Sequence, residues 1–177
     1  MSTSQTPEPE AAEPDAAEPQ ADAVWLDAGE RMVWLRLVGL MVKLPAALDA
    51  QLQRDAGLSH FEYLVLAGLS EAPDRVLRMS ELAELANGSL SRLSHVVKRL
   101  EQQGWVRRAP CDADRRATNA ILTDVGYAKV VATAPGHVAT VRSLVVDPLS
   151  PAELAQLGKL AGMLLAPLDP DARCPGA

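Results

Sequence analysis

The residue types and spacing best suited to chemistry in this chain of 177 residues lie between Ser89 and Gln103. Apolar residues at i, i+3, i+4 and i+7 predict a helix with one buried face, made of Leu93, Val96, Val97 and Leu100. The opposite face and its flanks carry side chains that all hydrogen-bond, namely Ser91, Arg92, Ser94, His95, Lys98, Arg99 and Gln102. Hydroxyls near a helix N-terminus allow close approach to phosphates or base edges, and the longer side chains reach further. This face suits binding of a nucleic acid.

An ordinary solvated helix face is the simpler interpretation of the same residues. Such a face usually alternates Glu with Lys, whereas the first acidic residue here is Glu101, in the last turn. The lack of acidic side chains ahead of Glu101 favours a face that binds anions.

A second polar segment follows the helix, between short strands predicted over 105–109 and 117–122. It places the adjacent Arg115 and Arg116 where a loop would project. A projecting arginine can enter a narrow minor groove, where the negative potential of DNA is strongest. We expect a neighbouring aspartate to orient one guanidinium group. The alternative interpretation is a polar hairpin with local ion pairs.

The rest of the sequence offers no pattern typical of catalysis. It contains no nucleophile–base pair, phosphate-binding glycine loop or dinucleotide fingerprint. The three histidines and two cysteines lack the usual spacing of metal ligands. We therefore predict a protein that is not an enzyme and uses no cofactor and no metal.

The net charge of −6 hides an uneven distribution. Residues 1–23 hold six of the 23 acidic residues and no base, so the other 17 acids and 17 bases cancel. Nine bases and five acids lie between Arg75 and Arg116, which gives this segment a local charge of +4. A basic segment within a neutral body is typical of a module that meets phosphate.

Capping and turn signals outline the elements that position the polar segments. Caps are predicted at Ser59 (in a capping box with Glu62), Ser80, Ser89, Thr123 and Ser150. The predicted helices include 60–70, a short helix over 81–86, and the polar helix that ends at Gly104. Two short helices joined by an Asn87-Gly88 turn and followed by a hairpin predict a winged helix-turn-helix, mostly α with a small β-hairpin.

The sequence predicts five parts in the chain. They are a disordered acidic tail rich in Pro and Ala over 1–23, dimerisation helices over 24–58 and 123–168, a winged helix-turn-helix domain over 59–122, and a flexible tail over 169–177. The first helix and the last two carry long apolar stripes, which one small winged-helix core cannot bury. A symmetric homodimer is the commonest way to cover such stripes.

Five motifs resemble those of the MarR family of bacterial transcription regulators. They are Met79-Ser80-Glu81-Leu82-Ala83, the run from Ser91 to Glu101, Gly104 with Val106, Asp112-Ala113-Asp114-Arg115-Arg116, and Leu122-Thr123-Asp124-Val125-Gly126. The resemblance spans about residues 28–167. One departure is Ala113, where the wing of the family often has proline.

The resemblance implies a winged-helix dimer with interlocking terminal helices, which usually represses genes by binding near-palindromic operators. It makes 89–103 the recognition helix, in the major groove, and Arg115 or Arg116 the wing arginine, in the minor groove. The expected contacts to double-stranded DNA are Ser89, Ser91, Arg92, Ser94, His95, Lys98, Arg99, Arg115 and Arg116.

Other functional classes make different demands on the sequence. A winged helix that docks on a protein should expose aromatic residues or Leu on the polar helix, and a small helical enzyme needs a convergent polar cluster. Neither pattern is visible, so DNA binding is the preferred interpretation. The resemblance also implies that a small-molecule effector, which the sequence does not identify, can bind between the dimer helices and the winged domain. With no signal peptide or apolar span, a cytoplasmic location without a membrane partner is expected.

Overall fold

The structure is a computed structural model that describes residues 24–111, 114 and 116–168. Its helices are α1 (Ala28–Ala56), α2 (His60–Glu71), α3 (Met79–Leu85), α4 (Leu90–Gln102), α5 (Asp124–Val141) and α6 (Pro151–Leu165). Its strands are β1 (Val76–Arg78), β2 (Val106–Pro110) and β3 (Thr118–Leu122). The tails predicted over 1–23 and 169–177 lie outside the described residues.

The described residues divide into two compact units, one that ends at Val38 and one that begins at Gly39. In the described part of the first unit, α1 begins with two reciprocal hydrogen bonds. The Asp27 N–H donates to the Glu30 carboxylate at 2.9 Å, and the Glu30 N–H donates to the Asp27 carboxylate at 2.8 Å. These bonds satisfy amides that the helix itself leaves without a partner.

The hydrophobic core of the second unit lies among α2, α3, α4 and the sheet. On α4, Leu93, Val97 and Leu100 are fully buried and Val96 is half-buried, which confirms the predicted inward face. Burying these side chains fixes the rotation of α4 about its axis, and the polar face is turned outward as a result.

Four of the five predicted helix caps are present. Ser59, Ser89, Thr123 and Ser150 each accept a backbone N–H from the residue three positions on. The prediction that Ser80 caps a helix over 81–86 was wrong, because α3 begins at Met79. The reason is Glu81, whose carboxylate accepts the Arg78 N–H at 3.1 Å and so starts the helix earlier.

The strands form one antiparallel sheet in the order β1-β3-β2. In β2 and β3, Val106 pairs with Leu122 and Pro110 with Thr118, which gives the predicted hairpin. The sequence did not predict β1, three residues long, which pairs with β3 through Val76 and Ile121. The mostly helical winged helix-turn-helix prediction is confirmed, with a third strand added.

Two turns in the winged domain depend on unusual backbone angles or on close approach. Asn87 has φ 48°, a left-handed conformation that Asn tolerates better than most residues, in the predicted turn between α3 and α4. A Cβ added at the adjacent Gly88 would lie 2.7 Å from the Phe61 ring, so a larger residue there would force that ring to move. Gly104 has φ 73° and follows the end of α4, as predicted for a glycine that ends a helix.

Long apolar stripes are exposed on helices outside the winged domain. On α1 the exposed residues include Met32, Val33, Leu40 and Met41, and on α6 they include Leu157, Leu160, Met163 and Leu164. None of the residues in α6 is buried in the single chain, so its predicted inward stripe has no cover within the described residues. Within the described residues, no helix is both long enough and apolar enough to cross a membrane.

Candidate nucleic-acid interface

The outward face of α4 is the centre of the predicted interface. Ser91, His95 and Lys98 are exposed there, one turn apart, opposite the buried leucines. Within the described residues, the structure shows no side-chain hydrogen bond from any of the three. Their donors and acceptors are thus available to a ligand.

Two of the predicted contact residues use their hydroxyls within the helix. Ser89 accepts the Arg92 N–H at 3.2 Å as the N-cap of α4. Ser94 donates to the Leu90 carbonyl oxygen at 2.8 Å, one turn back. Each hydroxyl keeps further lone pairs, but its proton or its orientation is already committed.

Two predicted arginines turn from the outward face toward α2. The Arg92 guanidinium lies over the Phe61 ring, with its Cζ 4.2 Å from the ring centroid. The Arg99 Nε donates to Glu62 Oε1 at 2.7 Å, and Nη2 lies 2.5 Å from the same oxygen. Sequence spacing places both residues beside the polar face, and the structure shows that both also contact α2.

Another ion pair joins the last turn of α4 to β2. The Arg108 N–H donates to Glu101 Oε1 at 2.8 Å, and its guanidinium donates to Oε2 at 2.7 Å. Burial acts to raise the pKa of Glu101, but the hydrogen bonds and charge of Arg108 outweigh it and hold that pKa below its usual range. Glu101 and Arg108 thus fix the base of the hairpin against the last turn of α4.

The hairpin tip is described only in part. Arg115 and Asp112 lie outside the described residues, whereas Arg116 is exposed in the turn, two residues before β3. The Asp114 carboxylate accepts the backbone N–H of Arg116 at 3.0 Å. For this pair, the expected contact to a guanidinium group is replaced by a contact that closes the turn.

A basic cleft of about 350 Å³ lies between α3, the start of α4 and the hairpin. Its lining includes three arginines and three hydroxyl residues: Arg78, Arg108, Arg116, Ser80, Ser94 and Thr118. This composition suits a phosphate group, which takes hydrogen bonds from both kinds of side chain. Sequence analysis did not include Arg78, Ser80, Arg108 and Thr118 among the contact residues. The unpredicted β1 and the sheet register place Arg78, Arg108 and Thr118 in the cleft, and Ser80 lines it from α3.

A second crevice, of about 550 Å³, lies on the other side of α4 and is lined by Asp49, His60, Phe61, Arg92 and Arg99 among others. Burial lowers the pKa of His60 from its ordinary value of 6.5, and the charge of Asp49 opposes that shift. The pKa of His137 is also lowered, first by burial and then by His60, whose ring centroid is 6.0 Å away. Among the described residues, no group of three or more His, Cys, Asp or Glu side chains could hold a metal ion.

A family model and known regulators match this chain in sequence. The model of the MarR family matches residues 56–117. The HTH-type transcriptional regulator PecS of Dickeya dadantii (strain 3937) is 31% identical over 131 residues, which are 71% of this chain and 78% of PecS. The HTH-type transcriptional repressor YetL of Bacillus subtilis (strain 168) is 27% identical over 139 residues, which are 78% of this chain and 82% of YetL.

A solved structure extends the comparison to the fold. It is Sco3205, a MarR family transcriptional regulator from Streptomyces coelicolor, in complex with DNA. It superposes with a TM-score of 0.81 at 46% identity, over 86% of this chain and 95% of that one. The chain belongs to the MarR family of transcriptional regulators. Membership confirms the resemblance and the prediction that this protein is a regulator and not an enzyme.

Proposed function

We propose that this protein is a dimeric, sequence-specific DNA-binding regulator that represses transcription from near-palindromic operators. In this proposal α4 enters the major groove and the hairpin reaches the adjacent minor groove. The observation that carries it is the outward face of α4, where Ser91, His95 and Lys98 are exposed without internal side-chain hydrogen bonds among the described residues. The DNA in the Sco3205 structure supports this reading over a module that docks on proteins.

Charge supports DNA as the partner of this face. Lys98 lies on the outward face, and the cleft beside it holds Arg78 and Arg116, which have no ion pair within the described residues. Cations that lack internal partners gain most from phosphate, because phosphates release condensed counterions when they are neutralised. The paired Arg99 and Arg108 contribute to positioning instead.

The exposed apolar stripes support a homodimer. Leucines on α6 and apolar residues on the first half of α1 are exposed in the single chain, and an isologous contact would cover the same surface in both copies. Two recognition helices would then contact half-sites about 34 Å apart, one turn of DNA. Light scattering of the intact chain should give twice the chain mass of 18.9 kDa, whereas the monomer mass at micromolar concentration would contradict the dimer.

Family membership supports the proposals for the remaining partners and the location. A cytoplasmic location fits a protein that binds the chromosome, and repression fits the name of YetL. A small-molecule effector remains a prediction. The crevice between α2 and α4, at about 550 Å³, falls within the size range of ligand pockets, and it opens beside the arginines that position α4.

The direct test of this proposal is selection of binding sites from a random duplex library by the purified chain, followed by affinity measurements over a salt series. We expect one near-palindromic sequence to be enriched and to bind at least about a thousandfold tighter than random DNA at physiological salt. Binding that is equal for all duplexes, or no binding, would contradict the proposal.

A further inference from the structure

The recognition helix begins with an apolar side chain that its predicted polar surface did not include. Leu90 is the first residue of α4 and is 53% exposed, whereas Leu93, Val97 and Leu100 on the same helix are fully buried. The exposed part of the Leu90 side chain does not gain the free energy that burial gives the other apolar side chains of the helix. A partner that covers Leu90 would recover that free energy.

The surroundings of Leu90 narrow the chemistry of that partner. Leu90 shares the basic cleft with Arg78 and Arg116, which lack an ion pair within the described residues, and with the paired Arg108. The Leu90 carbonyl oxygen accepts the Ser94 hydroxyl proton, which turns that donor away from the ligand. The partner must therefore present an apolar group within a few ångströms of its anionic groups.

We propose that Leu90 contacts the C5-methyl group of a thymine in the major groove. This inference rests on the proposed function, since it adds an apolar contact to the polar contacts of Ser91 and His95. Thymine is the base that presents a methyl group at the groove edge, and the DNA backbone supplies anionic phosphates that suit the cationic lining of the cleft. Leu90 is thus a specificity-determining residue of α4.

A protein partner fits this surface less well. Docking surfaces bury contiguous apolar patches from which charged residues are depleted. Leu90 is a single leucine, followed by the exposed Ser91 and Arg92 and flanked by Arg78 and Arg116. The charge pattern favours DNA.

The experiment removes the methyl group alone. Each thymine of the selected operator is replaced by deoxyuridine, symmetrically in both half-sites, which keeps the base pairing and the O4 acceptor. Affinities are measured for the intact protein, for Leu90→Ala and for Leu85→Ala. Leu85 is the matched control, since it is 52% exposed and its side chain lies against Gly68 of α2. Leu90→Met, which keeps an apolar contact, guards against a general effect of substitution, and thermal melting checks that each variant is folded.

We expect one thymine position at which deoxyuridine weakens binding of the intact protein by about fourfold for each methyl group lost. Leu85→Ala and Leu90→Met should show the same loss, and Leu90→Ala should bind both duplexes equally. The inference is overturned if no thymine shows a loss, or if Leu90→Ala loses as much as the intact protein. Failure to select any operator would instead overturn the proposed function, so the two failures are distinguishable.

Discussion

Arg99 of the recognition helix and Glu62 of α2 form an ion pair that crosses from an exposed side chain to a buried one. The Glu62 side chain is 6% exposed, whereas that of Arg99 is 58% exposed. The other carboxylate oxygen of Glu62 accepts the backbone N–H and the hydroxyl proton of Ser59, both at 2.8 Å. A single carboxylate therefore closes the start of α2 and holds α4 at a fixed rotation.

This arrangement predicts that Arg99→Ala acts on stability more than on DNA contacts. Losing the cation leaves a buried carboxylate short of one partner, which should lower the free energy of unfolding by about 1–2 kcal/mol. The slope of log affinity against log salt should stay unchanged, because Arg99 is already neutralised by Glu62. Thermal melting and a salt titration on the selected operator measure the two effects.

Lys98 provides the matched control for Arg99, since it is the adjacent cation, exposed and without an ion pair in the described part of the chain. Lys98→Ala should leave the melting temperature unchanged and lower the magnitude of the salt slope by about one. If Arg99→Ala lowers the slope by the same amount and leaves stability intact, Arg99 is a phosphate contact and the positioning role is wrong.

The wing makes a second prediction about salt dependence. Arg115→Ala and Arg116→Ala should each weaken binding to most sequences and reduce the slope by up to about one, because a wing arginine meets phosphates and groove walls. Arg108→Ala should leave the slope unchanged, since its guanidinium is held by Glu101. If both wing substitutions leave the affinity and the salt slope at the values of the intact protein, the wing does not contact DNA.

The lowered pKa values of His60 and His137 predict how the free energy of unfolding depends on pH. The pKa values of His60 and His137 are lowered in the folded state, so the unfolded chain binds protons more strongly below the ordinary value of 6.5. The contribution of neutral His60 and His137 to the free energy of unfolding is therefore fully present above about pH 6.5. It is lost as the pH decreases through their lowered pKa values. The Asp49 carboxylate reduces the effect at His60 without reversing its sign.

Chemical denaturation at pH 7.5 and pH 5.5 tests this dependence. His137→Gln, which can still contact Gln51, should reduce the difference in stability between the two pH values. His95→Gln is the matched substitution control, since His95 is exposed on α4 and lies outside the His60–His137 contact. An equal difference in His137→Gln and the intact protein would show that other groups cause the pH dependence.

Local signals in the sequence were enough to predict most of the fold. Caps such as Ser59 and Ser89 and the buried face of α4 depend on residues within one or two turns, so a single chain segment carries the information. The strand β1 is too short to show a period and exists because Val76 pairs with Ile121, far along the chain. The start of α3 was misplaced because Ser80 and Glu81 offer competing signals.

The interface could be predicted only to the level of a helix face. Periodicity identified Ser91, His95 and Lys98 as outward-facing, but it could not reveal that Arg92 and Arg99 bind to α2. Those contacts depend on how α2 packs against α4, for which one sequence holds no periodic signal. Leu90 was missed for a related reason, since its i+3 and i+7 neighbours are buried and only its place in the first turn exposes it.

The most direct test of the account is competition between the selected operator and its single-base variants for binding to Ser91→Ala, His95→Ala and Ser94→Ala. We predict that Ser91→Ala and His95→Ala relax the preference at particular base pairs, by about 1–3 kcal/mol for a good contact and less for a serine that water replaces. Ser94→Ala should leave the preferences unchanged, since its hydroxyl proton is held by Leu90. Unchanged base preferences in both Ser91→Ala and His95→Ala would contradict the claim that α4 reads the operator.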